Sequence, residues 1–252
     1  EEVLSCAQQA QKKEAQIMVI TGGGKLKKLV QKNKYPAYII KPQHNPSGQP
    51  RMAIGYAIMG SIGLLSAANI IQVEAQKMEA AVKAILIMDE QCRVEVPQKE
   101  NRAKLLALSI IDRRPVLVAS EFLRGAAHAA TNQFNENAKI FADYKVVPEI
   151  NHHLLEGLSY PKSNATNHLF LFLNSKLYHP RNQVRMELTQ QVASQKSIDT
   201  LSIELQLESK MAQVFECLTL FAYTNFYLAI LEKVNPAPIP TVDWFKEQLA
   251  LN

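Results

Sequence analysis

The sequence predicts an α/β protein built on parallel sheet, and three observations carry that expectation. Short apolar runs alternate with longer helical stretches along much of the 252 residues. Two of those runs, Pro115–Ala119 and HLFLFLN over 168–174, have the buried-type composition of strands covered on both faces. A third run, Gln16–Ile20, is closed by Thr21-Gly22-Gly23-Gly24, a turn from strand into helix.

The elements follow in order. After the Gln16–Ile20 strand and its glycine turn, Lys25–Gln31 reads as a short helix and Ala37–Ile40 as the next strand, giving β–turn–α–β. Pro42–Pro50 is a loop, because His44, Asn45, Pro46, Ser47 and Gly48 all disfavour regular structure. A long apolar helical region runs from Arg51 to about Leu86, with a break near Ala68 and Asn69. Met88–Glu100 is polar and contains Pro97, which predicts a linker and two domains, 1–90 and 91–252. Asn101–Ile111 forms a helix with Ala103, Leu106, Ala107 and Ile110 on one face. Pro115–Ala119 opens a second α/β unit, followed by the strands at 168–174 and Thr200–Leu205. Glu208–Leu231 is a long, mostly apolar helix suited to a buried layer or a dimer contact. Asn235–Pro240 is an extended proline-rich spacer, and Val242–Leu251 a short amphipathic helix. A sheet that starts with only two strands has little to pair with, so the first unit reads as beginning in its middle.

Composition narrows the function classes. Apolar residues at 47% and charged residues at 20% describe an ordinary globular protein. The longest apolar stretch, Phe215–Leu231, is broken by Glu216, Thr219, Thr224 and Asn225, which argues against a membrane span. The start, Glu1-Glu2, lacks a signal pattern. Cys6, Cys92 and Cys217 form no CxxC pair and point to a reducing cytoplasm. The net charge of +5 is spread out, and its one cluster, Lys25, Lys27, Lys28, Lys32 and Lys34, has only Tyr35 as a stacking aromatic. That cluster reads as a solvated helix face rather than a nucleic-acid site. His44, His128, His168 and His179 show no metal-ligand spacing, so no metal or cofactor is expected. The Gly22–Lys25 turn lacks the spacing of a nucleotide phosphate loop.

Two motifs carry a family resemblance. NENAK over Asn135–Lys139 is followed by PEINH over Pro148–His152, and the pair resembles the signature of the bifunctional phosphoglucose/phosphomannose isomerases. Pro50-Arg51 with Gly55-Tyr56, the Thr21–Leu26 turn, and Asp243–Leu249 near the chain end resemble further motifs of that family, in the same order. Where the family continues with Asn-Glu after the histidine, this chain has His153 and Leu154.

The resemblance implies two units of the sugar isomerase (SIS) type, flavodoxin-like and doubly wound. The first is truncated at its N-terminus, because the family's Ser/Thr-rich phosphate loop would precede Glu1. It implies interconversion of glucose 6-phosphate, and of mannose 6-phosphate, with fructose 6-phosphate, in glycolysis and gluconeogenesis. By resemblance, Glu136 is the base that moves a proton between C2 and C1 through an enediol. Arg51 is the cation beside the developing enediolate. His152, contributed by the other subunit of a homodimer, and Lys246 open the sugar ring, with His153 a competing candidate. Thr21, Gly22 and Gly23 border the sugar together with Arg51 and His153. The long apolar helices Met52–Leu86 and Glu208–Leu231 independently suggest a homodimer, since they exceed what one small domain covers.

Blander readings stand beside these: Glu136 as a glutamate at a helix N-terminus, Arg51 as an exposed loop residue, and Lys246 as a surface lysine. Thr241 lies near the terminal helix, where the family has a small hydroxyl residue linked to mannose activity. The alternatives are a non-catalytic, phosphosugar-binding SIS regulator and a glucosamine-phosphate isomerase domain.

Overall fold

Helix α1 (Glu2–Lys12), strand β1 (Val19–Thr21), helix α2 (Gly24–Asn33) and strand β2 (Ala37–Ile39) open the chain in the β–α–β order that the sequence predicts. The computed structural model describes residues 2–251 and divides into two units, Glu1–Glu74 and Ala75–Asn252. In the first unit β1 and β2 pair in parallel, Val19 against Ala37 and Thr21 against Ile39, and make a two-stranded sheet. Helix α3 (Ile54–Ala67) packs on both strands. Gly60 permits that approach: a Cβ at this position would lie 2.3 Å from a ring carbon of Tyr38.

The division between units differs from the sequence expectation of a linker at Met88–Glu100. The helical region breaks after α3, where Asn69 takes a left-handed φ of 56°. Helix α4 (Ala75–Cys92) then buries Ala81, Ala84, Met88 and Cys92 and packs against α10 (Lys210–Leu231), so it belongs with the second unit. The segment after it is fastened rather than loose. The Asn101 side chain, fully buried, donates to the carbonyls of Cys92 (2.9 Å) and Arg93 (3.1 Å) and accepts from the Lys104 N–H. It thus caps helix α5 (Arg102–Ile110) and closes the end of α4 with one side chain.

The second unit continues with β3 (Arg114–Ser120), α6 (Arg124–Gln133), β4 (Asp143–Val147), α7 (Leu154–Gly157), α8 (Asn164–Asn167), β5 (His168–Ser175), α9 (Pro180–Gln195) and β6 (Asp199–Leu205). After α10 comes α11 (Pro240–Leu251). The four strands are parallel, in the order β4-β3-β5-β6. From β3 the chain moves outward to β4, then returns across β3 to β5 and β6. Right-handed crossovers in opposite directions put α6 and α9 on opposite faces of the sheet, the doubly wound arrangement. β3 and β5 are buried on both faces, as their uniform apolar composition predicts.

Among the described residues α10 is the one helix long and apolar enough to cross a membrane. Most of it is buried instead, against α4, α5 and α6. Ser209 caps its start by accepting from the Ala212 N–H at 3.2 Å. Glu216, midway along its buried face, accepts from the N–H groups of Gln206 and Leu207 after β6. Burial pushes its carboxyl above the usual range, against the opposing pull of those N–H groups and of Arg102.

Candidate active site

α6 returns antiparallel to β3, so the NENAK motif at its end lies by the amino end of the sheet. A shallow cavity of about 350 Å³ there is lined by Asp112, Arg113, Ala138, Lys139 and Glu232. The last turn of this helix, Phe134–Ala138, widens into a π-helical turn, a feature common at functional sites. Three buried groups anchor the turn. Phe134 is fully buried, edge-on to Phe221 at a centroid distance of 5.8 Å, and Asn137 and Ala138 are also buried. Asn135 reaches outward to pin the turn to the approach to β4. It donates to the carbonyls of Thr131 (3.0 Å) and Ala142 (3.1 Å) and accepts from the Ala142 N–H (3.2 Å). Glu136 stands between these anchors, half-buried. It lies at the C-terminal end of a helix, which overturns the reading of it as a helix N-terminal glutamate: the macrodipole there does not favour a carboxylate.

PEINH forms a single 3₁₀ turn, Glu149–His152, after the carboxyl end of β4. Ile150 is fully buried, and Asn151 donates to the Thr189 hydroxyl of α9 at 2.7 Å. With those two fixed, His152 and His153 are both exposed. His153 Nε2 lies 2.7 Å from the Glu149 carboxylate, so its ring is engaged within the turn. β4 separates the two motifs. Its five residues, at ~3.3 Å each, span about 15 Å. Within one chain, Glu136 and His152 therefore sit at opposite ends of a strand.

Lys246 lies on α11, a helix that buries no residue and leaves Trp244, Phe245 and Leu249 largely exposed. The strap before it, Asn235–Ile239, meets the NENAK turn: Lys139 Nζ donates to the Pro238 carbonyl at 2.6 Å. The motif gives Lys139 no role of its own. No local pattern links it to a residue 99 positions along the chain.

Arg51, Thr21, Gly22 and Gly23 belong to the first unit. Arg51 occupies a 3₁₀ turn, Pro50–Met52, ahead of α3, and its Nη1 donates to Gln49 Oε1 at 2.8 Å. Gln49 is itself held by the loop, its carbonyl accepting from Asn45 at 3.0 Å. The Thr21 hydroxyl accepts from the Gly23 N–H (3.1 Å) and donates to the Gly23 carbonyl (3.0 Å), closing the turn from β1 into α2. Gly24 opens that helix with a left-handed φ of 64°.

Residues 99–249 match the family model of the bacterial phosphoglucose isomerase C-terminal SIS domain. The chain is 31% identical over 252 residues to a bifunctional phosphoglucose/phosphomannose isomerase of Caldicellulosiruptor bescii, covering 99% of this chain and 73% of that protein. It is 28% identical to the protein of the same name from Thermoplasma acidophilum, again over 99% of this chain and 73% of the relative. Among solved structures, a glucose-6-phosphate isomerase-like protein from Thermus thermophilus superposes with a TM-score of 0.61. It is 18% identical, over 88% of this chain and 76% of that one. The tagatose-6-phosphate ketose/aldose isomerase of Escherichia coli gives a TM-score of 0.63 at 13% identity, covering 94% and 67%.

Proposed function

This chain belongs to the bifunctional phosphoglucose/phosphomannose isomerase family, and from that premise we propose how its residues divide the reaction. It is an aldose–ketose isomerase acting on hexose 6-phosphates. In the mechanism proposed, Glu136 takes the C2 proton of glucose or mannose 6-phosphate and returns it to C1, giving fructose 6-phosphate. C2 is planar in the intervening enediol, so the two aldoses, which differ only there, share one intermediate. Arg51 stabilises the enediolate oxygen. Lys246 and a histidine open the ring, with Thr21, Gly22 and Gly23 bordering the sugar.

The observation that carries this reading is the π-helical turn that fixes Glu136, itself half-exposed, between buried Phe134 and Asn137. A carboxylate held rigidly at a wetted edge is what proton transfer to a bound sugar needs. The ring-opening histidine is His152 of a second copy, because within one chain His152 and Glu136 lie beyond opposite ends of β4, whose five residues span about 15 Å. The working form is then a homodimer with shared sites. His153, engaged by Glu149, takes the secondary role of a substrate contact. A cytoplasmic place in glycolysis or gluconeogenesis accords with that chemistry.

The direct test is Glu136→Gln, whose amide is nearly isosteric and cannot accept the proton. Turnover of fructose 6-phosphate should fall by about a thousandfold, with the circular dichroism spectrum unchanged. Retention of more than about a tenth of the activity removes Glu136 from the role of base, since a central acid–base group contributes at least ~10²-fold.

A further inference from the structure

We infer that Lys139 is a positioning residue that ties the terminal helix to the turn bearing the general base; the inference rests on the roles given above to Glu136 and Lys246. Lys139 ends the NENAK motif in a left-handed conformation, with a φ of 59°, that glycine or asparagine adopts more readily. From that kink its ammonium folds back over the π-helical turn and donates to the Glu136 carbonyl at 2.5 Å. Carbonyls at the end of a helix lack partners within it, and a cation is favoured there. The same ammonium donates to the Pro238 carbonyl at 2.6 Å. One charged group therefore joins the backbone of the base-bearing residue to the strap, two residues ahead of α11.

The strap transmits such a restraint. Pro236, Pro238 and Pro240 each fix φ, and the Asn235 side chain accepts from the Ala237 N–H at 3.0 Å. The first turn of α11 continues from it without a break, the Asp243 N–H donating to the Ile239 carbonyl at 3.0 Å. Lys246 follows six residues after the helix start, about 9 Å along its axis. Because α11 buries no residue of its own in this unit, the strap and its tether carry much of the load of holding Lys246 in register with Glu136.

Lys139→Met keeps the stem and removes both bonds. In the intact enzyme it should lower kcat by about ten- to a hundredfold while leaving KM for fructose 6-phosphate within about twofold, as expected for a misplaced rather than missing group. Amide hydrogen exchange over residues 241–246 should quicken by about tenfold, while exchange in β3 and β5 stays unchanged. The decisive arm is the double variant. Added to Lys246→Ala, Lys139→Met should cost clearly less than it does in the wild type, because part of its effect runs through the placing of Lys246. Full multiplication of the two losses overturns the inference, as does unchanged kcat with unchanged exchange at 241–246. If Lys246→Ala alone retains full activity, the role of Lys246 fails separately, and exchange decides the tether: quickening keeps it and no change removes it.

Discussion

Asn135→Ala tests whether the π-helical turn is held as described. The substitution removes three hydrogen bonds, to the Thr131 carbonyl, the Ala142 carbonyl and the Ala142 N–H, at 3.0, 3.1 and 3.2 Å. At ~0.5–1.5 kcal/mol each, the ceiling is about 4.5 kcal/mol. Asn135 is exposed, so water replaces part of this, and a loss of about 2 kcal/mol is expected. For a unit of this size that lowers Tm by roughly 4–8 °C. Asn135→Asp keeps the acceptor for the Ala142 N–H but turns a negative charge towards two carbonyl oxygens, and should be no better. Urea denaturation followed by circular dichroism gives the stability change, and initial rates with fructose 6-phosphate give kcat. Both should fall in either variant, because the turn that aims Glu136 loosens. A stability change below about 0.5 kcal/mol together with full kcat would refute the argument that Asn135 pins this turn.

Three further outcomes follow from the packing. Tyr178→Phe removes a buried hydroxyl that accepts from the Ser120 N–H and donates to the Leu173 carbonyl, and should cost about 1–3 kcal/mol in chemical denaturation. Gly60→Ala drives a Cβ into the Tyr38 ring and should destabilise the first unit by about 1–2 kcal/mol despite the better helix propensity of alanine; Tyr38→Leu in the same chain should recover most of that loss. Glu216 is held above its unfolded pKa by burial, so its contribution to stability is fully present below the ordinary glutamate value and is lost as pH rises through the folded pKa. The difference in unfolding free energy between wild type and Glu216→Gln should shift against the wild type on raising pH from 4 to 8, and a flat difference would contradict the assignment.

How far the sequence could be read depended on how uniformly each element is buried. β3 and β5 are apolar on both faces and were legible, as were α5 and α10 from their buried residues. β4 went unread because it is an edge strand, half-exposed along most of its length, with Asp143 paired to Lys145 along it. Edge strands carry charge that masks the strand pattern. α9 was missed for a related reason: only Met186, Thr189 and Ala193 are buried, while Val184 and Leu188 are exposed, so its apolar residues do not line up on one buried face. The α3–α4 region read as one broken helix, and the sequence placed the boundary too late, because the packing of Ala81, Ala84 and Met88 on α10 is a long-range fact. Of the candidate site, the motif residues were legible as chemistry and by resemblance. The π-helical turn was not, since its i to i+5 bonding leaves no composition signal. Nor was the placing of Glu136 and His152 at opposite ends of β4, which depends on recognising that strand.

The claim most exposed to a single measurement is that each active site draws Glu136 and His152 from different copies of the chain. Glu136→Gln and His152→Ala proteins, each inactive alone, should be co-refolded or co-expressed with distinct tags, and the doubly tagged species isolated. If sites are shared, each such heterodimer contains one site with both residues intact and one lacking both, so activity should return to about half that of wild type per dimer. Heterodimers that form and remain as inactive as their parents would contradict the account.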